Sequence, residues 1–321
     1  MRLTRRASLA LLAAPGLAQA QAAWPAHPIR IVIAWPAGGS TDGLLRALQA
    51  PLQAALGQTV VLENRAGASG SIGAAAVAQA APDGYTLLSD ASTQAVNPAL
   101  LRGLAFDYAS AFAPISLVAL APLLLVVRAD SPARDVAGLL ALLRAQPGGG
   151  TYSSSGIGAA AHLASAMLLR QAGVTATHVP YRGSPQQTQA VLAGEVVFTC
   201  GTVPAMAGLV ADGRLRAIAT TAGARLPGFP NVPTVAEQGF PGFAITEWLA
   251  MLAPAGTPAP ILDQVAAAVA AALRDPAVQQ RLPALGMLPA AEVGPAALSR
   301  FLGEQRVAMA ALIKAENIRL E

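Results

Sequence analysis

The sequence predicts an α/β protein of two domains, each built on a doubly wound sheet, joined by two crossover segments with a cleft between the domains. Three observations carry this. Short β-branched runs alternate with helical apolar stripes along most of the chain. The alternation restarts near Pro122 as a second unit of the same kind. The chain's 321 residues, at ~100–200 per domain, make about two domains. Composition agrees. Hydrophobic residues at 54% supply sizeable cores, and aromatics at only 4% make those cores aliphatic.

The first element is an export signal over 1–20. Arg2, Arg5 and Arg6 precede the short apolar run Ser8–Ala14, Pro15-Gly16 breaks it, and Ala18-Gln19-Ala20 offers small residues for cleavage near Ala20. The run is shorter than the ~20 residues a membrane span needs. Ordinary secretion and twin-arginine export both fit, because Ser8 replaces the large apolar residue usual after the Arg pair. With three of 21 basic residues and none of 17 acidic ones removed, the mature formal charge is +1. No electrostatic footprint for nucleic acid is left. A periplasmic, non-membrane-spanning protein is expected, and a monomer.

In the first unit, Ile29–Trp35 reads as a strand. Ser40-Thr41-Asp42 supplies N-cap chemistry, Leu44, Leu45, Leu48, Leu52 and Leu56 form a stripe, and Gly57 ends the helix. Thr59–Leu62 is a strand, Gly70–Ala80 a helix and Tyr85–Leu88 a strand. Ala111–Val127, interrupted by Pro114 and Pro122, reads as two short buried strands.

In the second unit, helices are expected at Val136–Arg144, Ala159–Gln171 and Gln186–Leu192, with strands at Leu123–Arg128, Thr151–Ser153, Ala176–Val179, Val196–Cys200 and Leu215–Ala219. An irregular Pro/Gly-rich stretch, Arg225–Gly242, precedes two C-terminal helical stripes that have no sheet of their own. Packed back on the first sheet, they make 24–120 plus 247–321 domain 1 and 121–246 domain 2. The two crossings lie near 120 and 246 and supply a hinge.

Several chemistries are excluded. Lys314 is the single lysine, which leaves neither a P-loop, a Schiff-base lysine nor a Tyr-x-x-x-Lys pair. Gly67–Gly73 is spaced G-x-x-G-x-x-G, and Tyr152 occupies the first glycine position of a dehydrogenase-like turn at 154–158, so no dinucleotide cofactor is expected. His27, His162 and His178 lack metal-ligand spacing. Cys200, the only cysteine, can form no internal disulfide and reads as a buried strand residue.

Two Gly/Ser loops remain. Pro36-Ala37-Gly38-Gly39-Ser40-Thr41-Asp42 and Ser153-Ser154-Ser155-Gly156-Ile157-Gly158 each lie where a strand gives way to a helix. There, free backbone N–H groups and the helix dipole favour an anion, and glycine lets it approach. One loop per domain would grip a dianion from both ends. Asp42 is a plain N-cap or a charge aimed at a donor group. His162, one turn into the helix, is a packing histidine or a ligand contact. Trp35 stands beside the first loop. Tyr181 and Trp248 are wall or core, and Arg65 and Arg182 are carboxylate partners or solvated charges.

Across Trp24–Arg30, 36–42, Val61–Gly67, Pro82–Leu88, Asn97–Leu100, His178–Gly183, Pro230–Glu237 and Pro254–Pro258, the sequence resembles the Bug-type extracytoplasmic solute receptors, the substrate-binding components of tripartite tricarboxylate transporters. The resemblance implies a two-domain periplasmic-binding-protein fold that closes on a small organic acid and delivers it to transporter membrane subunits, without catalysis, metal or cofactor. It assigns carboxylate binding to backbone and hydroxyl groups of Ala37, Gly38, Gly39, Ser40, Thr41 and Asp42, partly through ordered waters. The facing loop maps to Ser154, Ser155, Gly156 and Gly158. Trp35, where Phe is commoner, His162 and Thr202 complete the expected binding set. Cys200-Gly201-Thr202 replaces the acidic or amide residue of many relatives. These departures point toward a less polar acid, an aromatic carboxylate among them. Two other functions remain open at this level: a secreted hydrolase using His162 with Ser155 or Asp42, and a ligand sensor for a signalling partner.

Overall fold

The computed structural model describes residues 24–315 and 318; the expected signal segment and its cleavage site near Ala20 lie outside the described residues. The chain starts with β1 (Ile29–Ile33), α1 (Ser40–Leu56), β2 (Val60–Asn64), α2 (Ser71–Ala78), β3 (Thr86–Ala91) and α3 (Thr93–Leu100). Next come β4 (Phe112–Arg128), α4 (Val136–Ala145), β5 (Thr151–Ser154), α5 (Ala160–Gln171), β6 (Thr177–Pro180) and α6 (Ser184–Ala193). They are followed by β7 (Phe198–Thr202), α7 (Val203–Ala211), β8 (Leu215–Thr220) and β9 (Thr246–Pro254). The chain ends with α8 (Ala259–Leu273), α9 (Pro276–Ala284), β10 (Leu288–Pro289) and α10 (Pro295–Ala315).

α1 shows how local sequence sets an element. Its leucines at 44, 45, 48, 52 and 56 are buried on one face. Gly57, at φ 67°, caps it in the left-handed region and donates its N–H to Gln53 O.

The strand order is β2-β1-β3-β9-β4-β7-β5-β6, with β10 and β8 also paired to β4. β1, β2 and β3 run parallel, as do β5, β6 and β7. The 17-residue β4 binds the whole together and corrects the expectation of two short strands. Its first part, Phe112–Pro122, pairs antiparallel with β9, and its second, Leu123–Arg128, with β7 and β8. At ~3.3 Å per residue it is roughly 55 Å long. The prolines do not break it. Pro114 sits at a register shift, and Pro122 is the last residue paired with β9 before pairing passes to β7. A missing N–H is tolerated at such places.

β9 is absent from the sequence expectation, because Thr-Glu-Trp-Leu-Ala-Met-Leu-Ala-Pro has no β-branched run. The short helices α3, α7 and α9 also go unpredicted. α3 and α9 carry internal prolines, and α7 begins Val-Pro. α8 packs on α1 and β4, and α10 on α3 and β4. One core cluster joins β1–β3, α1, β9 and α8, while two others lie around β5–β8 and their helices.

Candidate functional site

The first loop enters α1 with Gly39, not Ser40 or Asp42, at the N-cap. Asp42 is the third helical residue, and its carboxylate turns back into the loop. It accepts from Gly38 N at 2.9 Å, Asn64 Nδ2 at 3.1 Å and Arg46 Nε at 2.9 Å. Burial pushes this carboxyl up, but those bonds outweigh it and hold the group below its ordinary value. Asp42 is therefore a charge aimed at donor groups, and it occupies the Gly38 amide. Ala37 and Gly38 are exposed, whereas Ser40 and Thr41 are buried. Ser40 Oγ donates to Thr202 Oγ1 at the end of β7, 2.7 Å away.

The second loop is held from beneath. His178 Nε2 lies 2.6 Å from Ser154 Oγ, which donates to Gly156 O and accepts from Gly156 N. With the Ser154 proton on Gly156 O, His178 Nε2 carries the proton toward Ser154. His162 Nδ1 accepts from Gly158 N at 3.0 Å, so its proton sits on Nε2. The two imidazoles stack, centroids 3.8 Å apart and 9° from parallel, with Tyr152 stacked on His178 and Phe198 on Tyr152. Burial lowers His162 to about 4; burial and the neighbouring ring lower His178 to about 3. Both rings are neutral at pH 7, and both are spent on loop geometry.

A third turn, Gly67–Gly70 before α2, stands between these loops. Ala68 (φ 46°) and Ser69 (φ 51°) occupy the left-handed region, which L side chains rarely adopt. The neighbouring contacts hold them there. Asn97 Nδ2 donates to Ser69 O at 3.0 Å, and Ser69 Oγ donates to Ile157 O at 2.9 Å.

These turns enclose a cleft of about 650 Å³. Trp35 and Pro36 come from the loop before α1, Gly67–Gly70 from the one before α2, Ser155–Ile157 from the one before α5, and Tyr181–Gly183 from the one before α6. Four loops that precede helices thus meet at one space, and two of them, before α2 and α6, bring their N-caps Gly70 and Gly183 to its wall. Trp35, Ser155 and Gly156 of the expected set line it. Gly38 lines a neighbouring groove of about 770 Å³ beside α6 and α7. Ser154, Gly158 and His162 brace the second loop from behind, and Ser40 and Thr202 bind each other. Gly67–Gly70 lies outside the expected binding set, because its G-x-x-G-x-x-G spacing speaks only against a dinucleotide loop. Its four residues without a large side chain, directly before a helix, were the available signal.

Trp35 is fixed in place. Its indole N–H donates to Asp90 Oδ1 at 3.0 Å, and that carboxyl also accepts from Ala91 N, Thr93 Oγ1 and Gln94 Nε2. Burial still raises Asp90 to about 6, and burial with the nearby Asp90 charge raises Glu247 to about 7. Cys200 is buried on β7, with its thiol pushed up to about 12 by burial.

Two of the residues expected in a hydrolytic set are engaged elsewhere. His162 bonds the Gly158 amide, and Asp42 bonds Arg46 rather than a histidine. Ser154 meets a histidine, but it is fully buried and has no room for a substrate carbonyl. Among the described residues, no group of three or more His, Cys, Asp and Glu is placed to hold a metal, and no helix is long and apolar enough to cross a membrane.

Residues 44–318 match a family model described as tripartite tricarboxylate transporter family receptor. Three solved structures superpose closely. Periplasmic binding protein BugD has a TM-score of 0.87 and 32% identity over 93% of this chain and 100% of its own. A Rhodopseudomonas palustris protein solved with adipate has a TM-score of 0.88 and 32% identity, over 92% and 99%. MatC of the same organism, with bound malate, has a TM-score of 0.85 and 31% identity, over 90% and 100%.

Proposed function

The chain belongs to the tripartite tricarboxylate transporter receptor family, and from that premise we propose that it captures a small organic acid in the 650 Å³ cleft and hands it to membrane subunits of a transporter. It is a solute-binding receptor of the Bug type, with the periplasmic-binding-protein fold of its structural neighbours. The observation that carries the ligand reading is the convergence of the four loops preceding α1, α2, α5 and α6 on one space. At two of them, the N-caps Gly70 of α2 and Gly183 of α6 line the wall, and a helix start carries roughly half a positive charge, which favours a carboxylate at low desolvation cost. Ser155 and Arg182 add side-chain donors at its wall.

In this proposal the lobes are 24–120 with 247–321, and 121–246, hinged where β4 and β9 pass between them. Contacts across the cleft support the hinge reading: Ser40 with Thr202, and Ser69 with Ile157. A ligand touching both lobes favours the closed form by its extra contacts there, and opening releases it. We propose likewise that it is exported to the periplasm, acts as a monomer and delivers its acid to the transporter. No covalent chemistry is required.

The test is a thermal-shift series with mono-, di- and tricarboxylates. A bound acid raises Tm with concentration by mass action. Unchanged melting across the series, confirmed by calorimetric titration, overturns the reading.

A further inference from the structure

We propose that this cleft selects carboxylic acids with an apolar body and rejects amino acids and polycarboxylates. The inference rests on the cleft being the carboxylate site, as proposed above, and adds the class of ligand.

The first argument is charge. Among the described residues that line the cleft, Arg182 is the one charged side chain and none is a carboxylate. Nearby acids are engaged elsewhere. Asp42 binds Arg46, Asn64 and the Gly38 amide. Asp90 lies behind Trp35 and holds its indole N–H. Glu195 accepts from the Tyr181 hydroxyl at 2.8 Å. Glu63 binds Arg30 and Arg65. An α-amino acid would bring an ammonium group into a space with no anion to meet it, and an unpaired buried charge carries a large desolvation penalty.

The second argument is the wall. Trp35, Ile72, Leu101, Ile157 and Tyr181 present aliphatic and aromatic surface around the single cation. Ile72 is 54% exposed there, ready for an apolar ligand surface to cover it. A ligand with one carboxylate finds amides, the Ser155 hydroxyl and Arg182, and its remaining carbon finds Ile72, Leu101 and Ile157. A second or third carboxylate, or a hydroxyl beside one, would have to share the same few amides and the single Arg182 or else face Ile72, Leu101 and Ile157, and would lose water without a full set of partners.

The experiment is calorimetric titration of the full-length mature protein with benzoate, hexanoate, L-malate, citrate and L-glutamate. Benzoate or hexanoate should bind at least ~10-fold tighter than malate or citrate, the ratio given by about two methylene equivalents leaving water. Glutamate should give no heat of binding. Benzoate above hexanoate identifies a planar body, and the reverse order a flexible one; both orders support the proposal. Arg182→Gln should weaken the preferred acid ~5-fold or more, and Ile157→Ser should narrow its advantage over malate. Tighter binding of malate, citrate or glutamate overturns the selectivity while leaving the receptor reading intact. Binding of none of the five, nor of any acid in the wider thermal-shift series, overturns both.

Discussion

Ser40 and Thr202, 162 positions apart in sequence, share a hydrogen bond of 2.7 Å that joins the start of α1 to the end of β7. Both side chains are buried, so the bond is shielded from water, and it can exist only while the two ends are together. Thr202→Val keeps the shape and removes the acceptor. A net loss of about 1 kcal/mol in the closed form predicts ~5-fold weaker ligand binding, with a larger radius of gyration in solution scattering. Equal affinity and equal radius in the variant would show that the bond does not bias closure.

His178 should act as a positioning residue for the second loop. His178→Phe retains a ring to stack on Tyr152 and His162 but removes the Ser154 contact. The expected result is a Tm within a few degrees of wild type and ~5-fold weaker binding of the acid, by loss of one net hydrogen bond. A matching loss in Ser154→Ala, without further loss in the double variant, would place both on one path. If the two losses add in full, the path is wrong.

Gly183 and Gly38 separate close approach from turn geometry. Both have positive φ, 104° and 78°. A Cβ at Gly183 would stand 2.7 Å from Pro36 Cγ, across the cleft, while one at Gly38 meets nothing within 4 Å. Gly38→Ala should cost stability of about 1 kcal/mol, through backbone strain alone. Gly183→Ala should in addition wedge the loops before α1 and α6 apart, and weaken ligand binding more than Gly38→Ala does. Calorimetric titration of both variants decides, and equal affinities would argue against contact between these loops in the bound form.

Glu247 should make stability depend on pH. Burial and the Asp90 charge raise it to about 7 from an ordinary 4.5, so the neutral form favours the fold. That stabilisation is complete below the unfolded value and is lost as pH rises through about 7. Asp90, at about 6, acts in the same direction. The buried neutral histidines act oppositely, because the unfolded chain takes up protons first below 6.5 and stability falls as pH drops toward 4 and 3. Comparing Glu247→Gln with wild type isolates one group. The variant should gain on the order of 2 kcal/mol relative to wild type between pH 5 and pH 8, by chemical denaturation. A pH-independent difference would mean that Glu247 is solvated in the folded protein.

Part of the candidate site's local structure was legible in the sequence. Gly57 ends α1 as its position after the leucine stripe requires, and the loops at 36–42 and 153–158 do precede helices. Asp42 was legible only in type. As an N-cap it would bond the following turn, but with Gly39 at the cap its carboxylate reaches back to Gly38, because Asn64 and Arg46 stand on that side. The Gly67–Gly70 turn was visible as glycine and serine. Its positive φ values at Ala68 and Ser69 were not, and the bonds that fix Ser69 come from Asn97 and Ile157, at distant positions.

The sequence by itself determined the alternation of strands and helices, the aliphatic cores and the family, because these rest on periodicity and on short motifs whose partners are neighbours in the chain. Only the tertiary structure decided that β4 is one continuous strand pairing with β9 at one end and β7 and β8 at the other, that loops before four helices rather than two line the cleft, and that Ser40 meets Thr202. Those outcomes depend on which distant backbone supplies each hydrogen bond, a choice made by the packing of the whole chain and not by any local pattern.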